Sequence, residues 1–350
     1  MIIAMALILS VTVFTAYFWW GFKVLPGEKW QIVASMPVSR TGSGEWNGVN
    51  FTWYGLLTAN AYLVAVAVLL VLMGAVGVPP LGTAILAASM LFCCVPASRL
   101  VARIVEKKNH TFTVGGAVFV GIVITPFVIT VINLTAGEQL AFHIPIMSAY
   151  AAIAIAYAIG EGLGRMACIS FGCCYGKPLS ISSELLKRIF TGRAFIFTGN
   201  TKKIAYAGGL EGAEVIPVQA LTAVLYSICG LTAAAMYLLS HQMGAFLLAT
   251  ITTQGWRSFS ETLRADYRGE GSISAYQIMG LVGAVYAVAA AFFFAGSQSG
   301  TPDLAAGLKS LWSPALILFL QCIWVLLFFY TGRSTVTGAT LSFHVHSDRI

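Results

Sequence analysis

The chain has 350 residues, of which 58% are hydrophobic and only 9% carry a charge, with a formal net charge of +7. A soluble domain carries about 25% charged residues, so this composition excludes a water-soluble enzyme and defines a polytopic membrane protein. The positive balance suits anionic lipid headgroups, and no nucleic-acid partner is expected.

Residues 2–19 form the first apolar run. It lacks a basic leader and ends in Phe18-Trp19-Trp20 rather than in small residues, so it reads as a retained anchor with aromatic rings at headgroup level, not as a cleaved signal peptide. Runs at 56–76, 81–98, 114–134, 144–160, 217–239, 275–295 and 312–330 follow, each near the ~20 residues a spanning helix needs. Residues 243–260 are interrupted by Thr250, Thr252, Thr253, Gln254 and Ser258. Such a helix belongs inside a bundle, where its polar groups bond to neighbours. Counting it, nine spans are expected, and the fold class is all-α: a polytopic membrane helix bundle. Residues 177–216, with Lys187, Arg188, Lys202, Lys203, Glu211 and Glu214, form a small extramembrane cap, and residues 331–350 a polar tail.

With nine spans, the segments 23–55, 99–113, 161–216, 257–274 and 331–350 fall on one side of the membrane and hold nineteen of the twenty basic residues, Lys309 being the exception. The positive-inside rule alone would place that side in the cytoplasm.

Three arginines adjoin apolar runs: Arg165, Arg257 and Arg264. A charge at bilayer depth costs roughly 2.5–3.5 kcal/mol on insertion scales and implies a partner or a pathway. For several guanidiniums at headgroup level the natural partner is a phosphate. Glu161 precedes Arg165 by four residues, the spacing of an intrahelical pair. Arg257, Glu261 and Arg264 are spaced to share a helical face, and the carboxylate can orient either arginine. Plainer readings stand beside these: a salt-bridged helix end for Arg257, Glu261 and Arg264, snorkelling for Arg165, an aromatic belt for Trp53 and Tyr54, close packing for Gly115 and Gly116, interhelical bonds for Gln219 and Gln277, and solvated side chains for His110, His344 and His346. Cys93, Cys94, Cys229 and Cys322 sit in apolar runs as small hydrophobes. Cys168, Cys173 and Cys174 lack zinc-type spacing and a second ligand pair, so neither a metal nor another cofactor is expected.

Five stretches in order then carry a resemblance: Thr52-Trp-Tyr-Gly-Leu56, Phe112-Thr-Val-Gly-Gly116, Gly164-Arg-Met-Ala-Cys-Ile-Ser-Phe-Gly-Cys-Cys-Tyr-Gly176, Ile216-Pro-Val-Gln219 and Trp256-Arg-Ser-Phe-Ser-Glu-Thr-Leu-Arg264. In this the chain resembles the prolipoprotein diacylglyceryl transferase family, as a divergent member. The resemblance implies a seven-span core over 50–295 with one extra span at each end (1–22 and 312–330), in a bacterial cell inner membrane, its site facing away from the cytoplasm. It implies transfer of a diacylglyceryl group from phosphatidylglycerol, or a similar anionic phospholipid, to the lipobox cysteine thiol of a prolipoprotein signal peptide. Carried over by position, Arg165 and Arg257 hold the phosphate, Glu261 orients Arg257 or Arg264, and Tyr54, Gly172, Gly176, Gln219 and Arg264 contact the lipid. The family's thiol-activating histidine is Val114 here, with His110 a possible substitute four residues earlier. That departure keeps two alternatives open: a paralogue with another acceptor, or a non-enzymatic lipid-binding protein.

Overall fold

The computed structural model describes residues 2–105, 113–266, 273–298 and 300–350. From the N-terminus, α1 (Ile2–Val24) leads into an antiparallel hairpin of β1 (Ile32–Arg40) and β2 (Trp46–Thr52), then α2 (Trp53–Ala75), α3 (Pro80–Val105), α4 (Val114–Ile132) and α5 (Ile146–Phe171). The cap holds α6 (Glu184–Phe190), β3 (Phe195–Ile196), α7 (Lys203–Gly208) and β4 (Glu214–Val215). The chain then runs through α8 (Val218–Leu238), α9 (Gln242–Ser260), α10 (Ala275–Phe293), the short α11 (Leu304–Leu311) and α12 (Pro314–Gly332) into β5 (Arg333–Leu341). Eight of these helices are long and apolar enough to cross a membrane. The ninth long helix is α9, the one whose threonines and glutamine lower its hydropathy.

Helix α5 is the axis of the bundle. It packs on α2, α8 and α9, and 67% of its apolar window is buried, against 6% for α1 and 11% for α12. Small residues make this possible: a Cβ on Gly160 would meet Ala65 of α2 at 2.7 Å, and one on Gly162 would meet Ser227 of α8 at 2.7 Å. Close approach of backbones is what drives helix association where lipid removes any hydrophobic incentive. The outer helices are attached specifically. Helix α1 lies against α8 and α5, and α12 crosses α2 so closely that a Cβ on Gly55 would overlap the Gly332 backbone. Thr52, the N-cap of α2, also donates its hydroxyl to the Gly332 carbonyl at 3.0 Å.

Two expectations change. The segments read as a loop (23–55) and a tail (331–350) form a three-stranded antiparallel sheet in the order β1-β2-β5, with Trp46 opposite Leu341 and Asn47 opposite Thr340. The pairing joins strands nearly 300 residues apart in sequence, so no local pattern announces it. Helix α5 also runs beyond residue 160 to Phe171, taking Arg165 and Cys168 out of a loop and into a helix. Its glycines serve packing rather than chain termination, and the true stop is Gly172 in the left-handed region (φ 70°), with Cys173 N–H donating to the Cys168 carbonyl at 3.0 Å.

Sheet, cap and the end of α9 all lie at the basic end of the bundle. At the other end Asp303 N–H donates to the Ala75 carbonyl and Met147 N–H to that of Ser297, closing the opposite face.

Candidate active site

The site is built on one stripe of α5. Tyr157, Glu161 and Arg165 recur every four residues and so stack on a single helical face. The spacing of Glu161 and Arg165 does produce an intrahelical ion pair. Helix α9 brings Arg257 to the same stripe, where its Nη1 donates to the Tyr157 hydroxyl at 3.4 Å. Helix α8 brings Tyr226, 6.2 Å ring to ring from Tyr157, its hydroxyl donating to the Thr253 carbonyl at 2.7 Å. Both Arg165 and Arg257 are within electrostatic reach of Tyr157 and Tyr226. The two guanidiniums therefore lie against the same pair of tyrosines.

Each arginine keeps an unfilled donor there. The Nε of Arg165 and the Nε of Arg257 are buried and have no acceptor among the described residues. A buried donor without a partner costs about 1–3 kcal/mol, more for a charged group, so the pair is suited to an anion. Gly115, on the first turn of α4, leaves the space: a Cβ there would lie 2.8 Å from Nη2 of Arg257 and 2.6 Å from the ring of Tyr276. Gly116, by contrast, packs on Val101 of α3.

Glu261 and Arg264 do something else. Helix α9 ends at Ser260, residues Glu261–Leu263 tighten into a 3-10 turn and Arg264 is extended, so the helical face expected to carry Arg257, Glu261 and Arg264 is broken, although Glu261 and Arg264 still meet. Arg264 pairs with both oxygens of Asp266 at 2.7 Å, and Glu261 sits 3.7 Å from Arg264. These charges are inside the protein, with Arg264 only 7% exposed. The segment is laced to the loop after α5: Lys177 N–H donates to the Leu263 carbonyl at 2.9 Å and Ala265 N–H to that of Tyr175 at 3.1 Å. Gly176 pairs with Arg264 across this ladder, and a Cβ on it would overlap the Ile216 carbonyl. Gln219 donates Nε2 to the Cys173 carbonyl at 2.9 Å, while its buried Oε1 has no donor among the described residues. Gln277 binds the Ser258 carbonyl at 3.1 Å, joining α10 to α9.

Tyr54, on the first turn of α2, packs its ring 5.5 Å from that of Phe171. It also lies within electrostatic reach of Cys168, Cys173 and Cys174. The sulfurs of those three cysteines all fall within 4.8 Å of one another. Thiol–thiol hydrogen bonds to Cys168 and Cys174, together with burial, hold the Cys173 thiol well above a free cysteine's range. Lys202, in the cap, is fully buried. Its ammonium donates to the carbonyls of Ser170 at 2.6 Å and Leu25 at 3.2 Å, and burial lowers its pKa to about 8.

Val114 sits on the first turn of α4 and is 42% exposed. His110 and Phe112 lie outside the described residues. Tyr157 and Tyr226 escaped the sequence reading. Tyr157 carried a signal, two turns before Arg165 on the same face; Tyr226 carried none.

The fold defines a polytopic helical membrane protein, with two arginines brought to one pair of tyrosines toward one end of the bundle. The family profile for prolipoprotein diacylglyceryl transferase matches residues 45–293, and the chain belongs to that family. Among curated proteins no sequence matches. The matched region starts ahead of α2 and ends with α10, leaving α1 and α12 outside it.

Proposed function

We propose that the protein transfers the diacylglyceryl group of phosphatidylglycerol to the lipobox cysteine thiol of prolipoproteins in a bacterial inner membrane. The observation that carries this is the pair of buried guanidiniums, Arg165 and Arg257, each with an unfilled Nε donor, on a shared tyrosine pair. Attack on the glyceryl carbon releases glycerol phosphate, and charge grows on the leaving phosphate oxygen. Preorganised donors aimed at that oxygen in a water-poor site stabilise the transition state more than the ground state. Glu161 positions Arg165 through their ion pair, and Tyr157 positions Arg257. Arg264, Glu261, Gly176 and Gln219 act at one remove, fixing the loop that closes the pocket.

The test is release of glycerol phosphate from phosphatidylglycerol by the purified protein with a lipobox peptide, alongside complementation of a strain depleted of the transferase. Lipid-modified peptide and rescued growth are expected. Release of glycerol phosphate without peptide modification would favour a different acceptor, the reading that Val114 supports. Turnover unchanged in Arg257→Ala would remove the assignment.

A further inference from the structure

Among the described residues the pocket holds no free base. Glu161 is paired with Arg165, and Glu261 with Arg264. His143 and His241 precede α5 and α9 at the opposite end of the bundle, and His344 and His346 follow β5. What the pocket does hold is sulfur. Cys168, on the last turns of α5, and Cys173 and Cys174, just past its cap, converge although two of them are adjacent in sequence. Neighbouring residues of an extended chain point opposite ways; here Cys174 takes a left-handed conformation (φ 57°), which turns the chain so that both thiols meet Cys168.

We propose that Cys168, Cys173 and Cys174 form a zinc site with one open coordination position, at which the acceptor thiol is ionised. Tetrahedral zinc with sulfur at about 2.3 Å places its ligands about 3.8 Å apart. The three sulfurs already lie within 4.8 Å of each other. No fourth His, Cys, Asp or Glu joins the group among the described residues. Three protein ligands with a vacant fourth position is the arrangement of catalytic rather than structural zinc. As whole residues all three cysteines are only partly buried. Arg165 is within electrostatic reach of Cys168 and Cys174, and Arg264 of Cys174, so cations stand near the negative charge that three thiolates bring.

The chemistry rests on the proposed function and supplies the thiol ionisation that no described residue of the pocket provides. A thiol bound to zinc is deprotonated outright. In the transfer its sulfur lone pair forms the S–C bond to the glyceryl carbon, and the C–O bond to phosphate breaks. The electron pair departs on glycerol phosphate, which takes up the proton the thiol gave.

The experiment uses full-length protein purified in detergent under reducing conditions without chelator. Elemental analysis should find about one zinc per chain, falling to about a tenth in Cys173→Ser. Cobalt exchanged into the wild type should show a thiolate charge-transfer band and tetrahedral d–d bands, and a small cysteine analogue should shift the latter. Arg257→Ala, away from the cysteines, should keep metal and spectrum while losing lipid turnover, so failure of the metal site and failure of the transferase reading are told apart. Protein free of zinc that gives no cobalt–thiolate band, a stable disulfide among the three, or a cobalt spectrum indifferent to added thiol would each overturn the proposal.

Discussion

Two groups of buried arginines, at one end of the same bundle, are treated in opposite ways. Arg264 is closed: both oxygens of Asp266 take its donors, Glu261 stands 3.7 Å away, and the backbone on either side is laced to the loop after α5. Arg165 and Arg257 are open, each anchored by a single described partner and each retaining a buried Nε with none. A guanidinium whose donors are filled by the fold is a latch. One left unfilled stores binding capacity for a ligand, at a cost in stability that only the ligand removes. Residue type does not separate these roles; hydrogen-bond satisfaction does.

The largest expected effect tests that division directly. Arg165→Ala and Arg257→Ala should each lower kcat about 10²–10³-fold, the usual loss for one preorganised oxyanion donor, and together leave no measurable release of glycerol phosphate. The thermal midpoint of Arg257→Ala should stay near the wild-type value, whereas Arg165→Ala also strips Glu161 of its ion pair and should lower it. Arg264→Ala should do the reverse in kind, destabilising by about 3–5 kcal/mol because Glu261 is left buried beside a vacated site and Asp266 loses its bidentate contact. Arg264→Lys should not restore it, as an ammonium cannot reproduce the bidentate contact. Thermal unfolding in detergent, paired with turnover, reads both. If Arg257→Ala unfolds as readily as Arg264→Ala, the open and closed descriptions are wrong.

Next in size is Gly176→Ala, whose methyl would overlap the Ile216 carbonyl. Forcing that ladder apart should cost about 1–3 kcal/mol, and turnover should fall with it because the same loop carries Cys173 and Cys174. Loss of stability with full turnover would show that the latch does not shape the pocket.

How much of this the sequence disclosed follows the range of the interactions. The spans are written in runs of about 20 apolar residues, and the four-residue step from Glu161 to Arg165 gave their pairing. The end of α5 was misplaced because Gly160, Gly162 and Gly164 look like punctuation, whereas two of them are contact points for Ala65 and Ser227. The shared helical face of Arg257, Glu261 and Arg264 assumed a helix that ends at Ser260. Tyr226 and strand β5 are joined to the site and the sheet by contacts between distant segments, which no local pattern encodes. Charge counting was also misled in part. Arg165, Arg257, Arg264 and Lys202 were scored with the flanking loops, yet all four are engaged inside the protein, which weakens the basic bias as a guide to sidedness.

Lys202 offers the finest test, because it is a third kind of buried cation: its ammonium is held by two carbonyls, those of Ser170 and Leu25, tying α1 to the end of α5. Its pKa is lowered from 10.5 to about 8 in the fold. Between those values the unfolded chain binds more protons than the folded one, so stability rises with pH. Below about pH 8 the penalty for burying the charge is fully present and flat; above it the penalty is relieved by up to about 1.4 kcal/mol per pH unit. Lys202→Met lacks this slope. The thermal midpoint of the wild type relative to that variant should therefore be constant from pH 6.5 to 7.5 and climb by a few degrees from pH 8 to 9.5. A difference flat across the whole range would mean that the ammonium reaches solvent, and that the junction of α1 with α5 is looser than its hydrogen bonds imply.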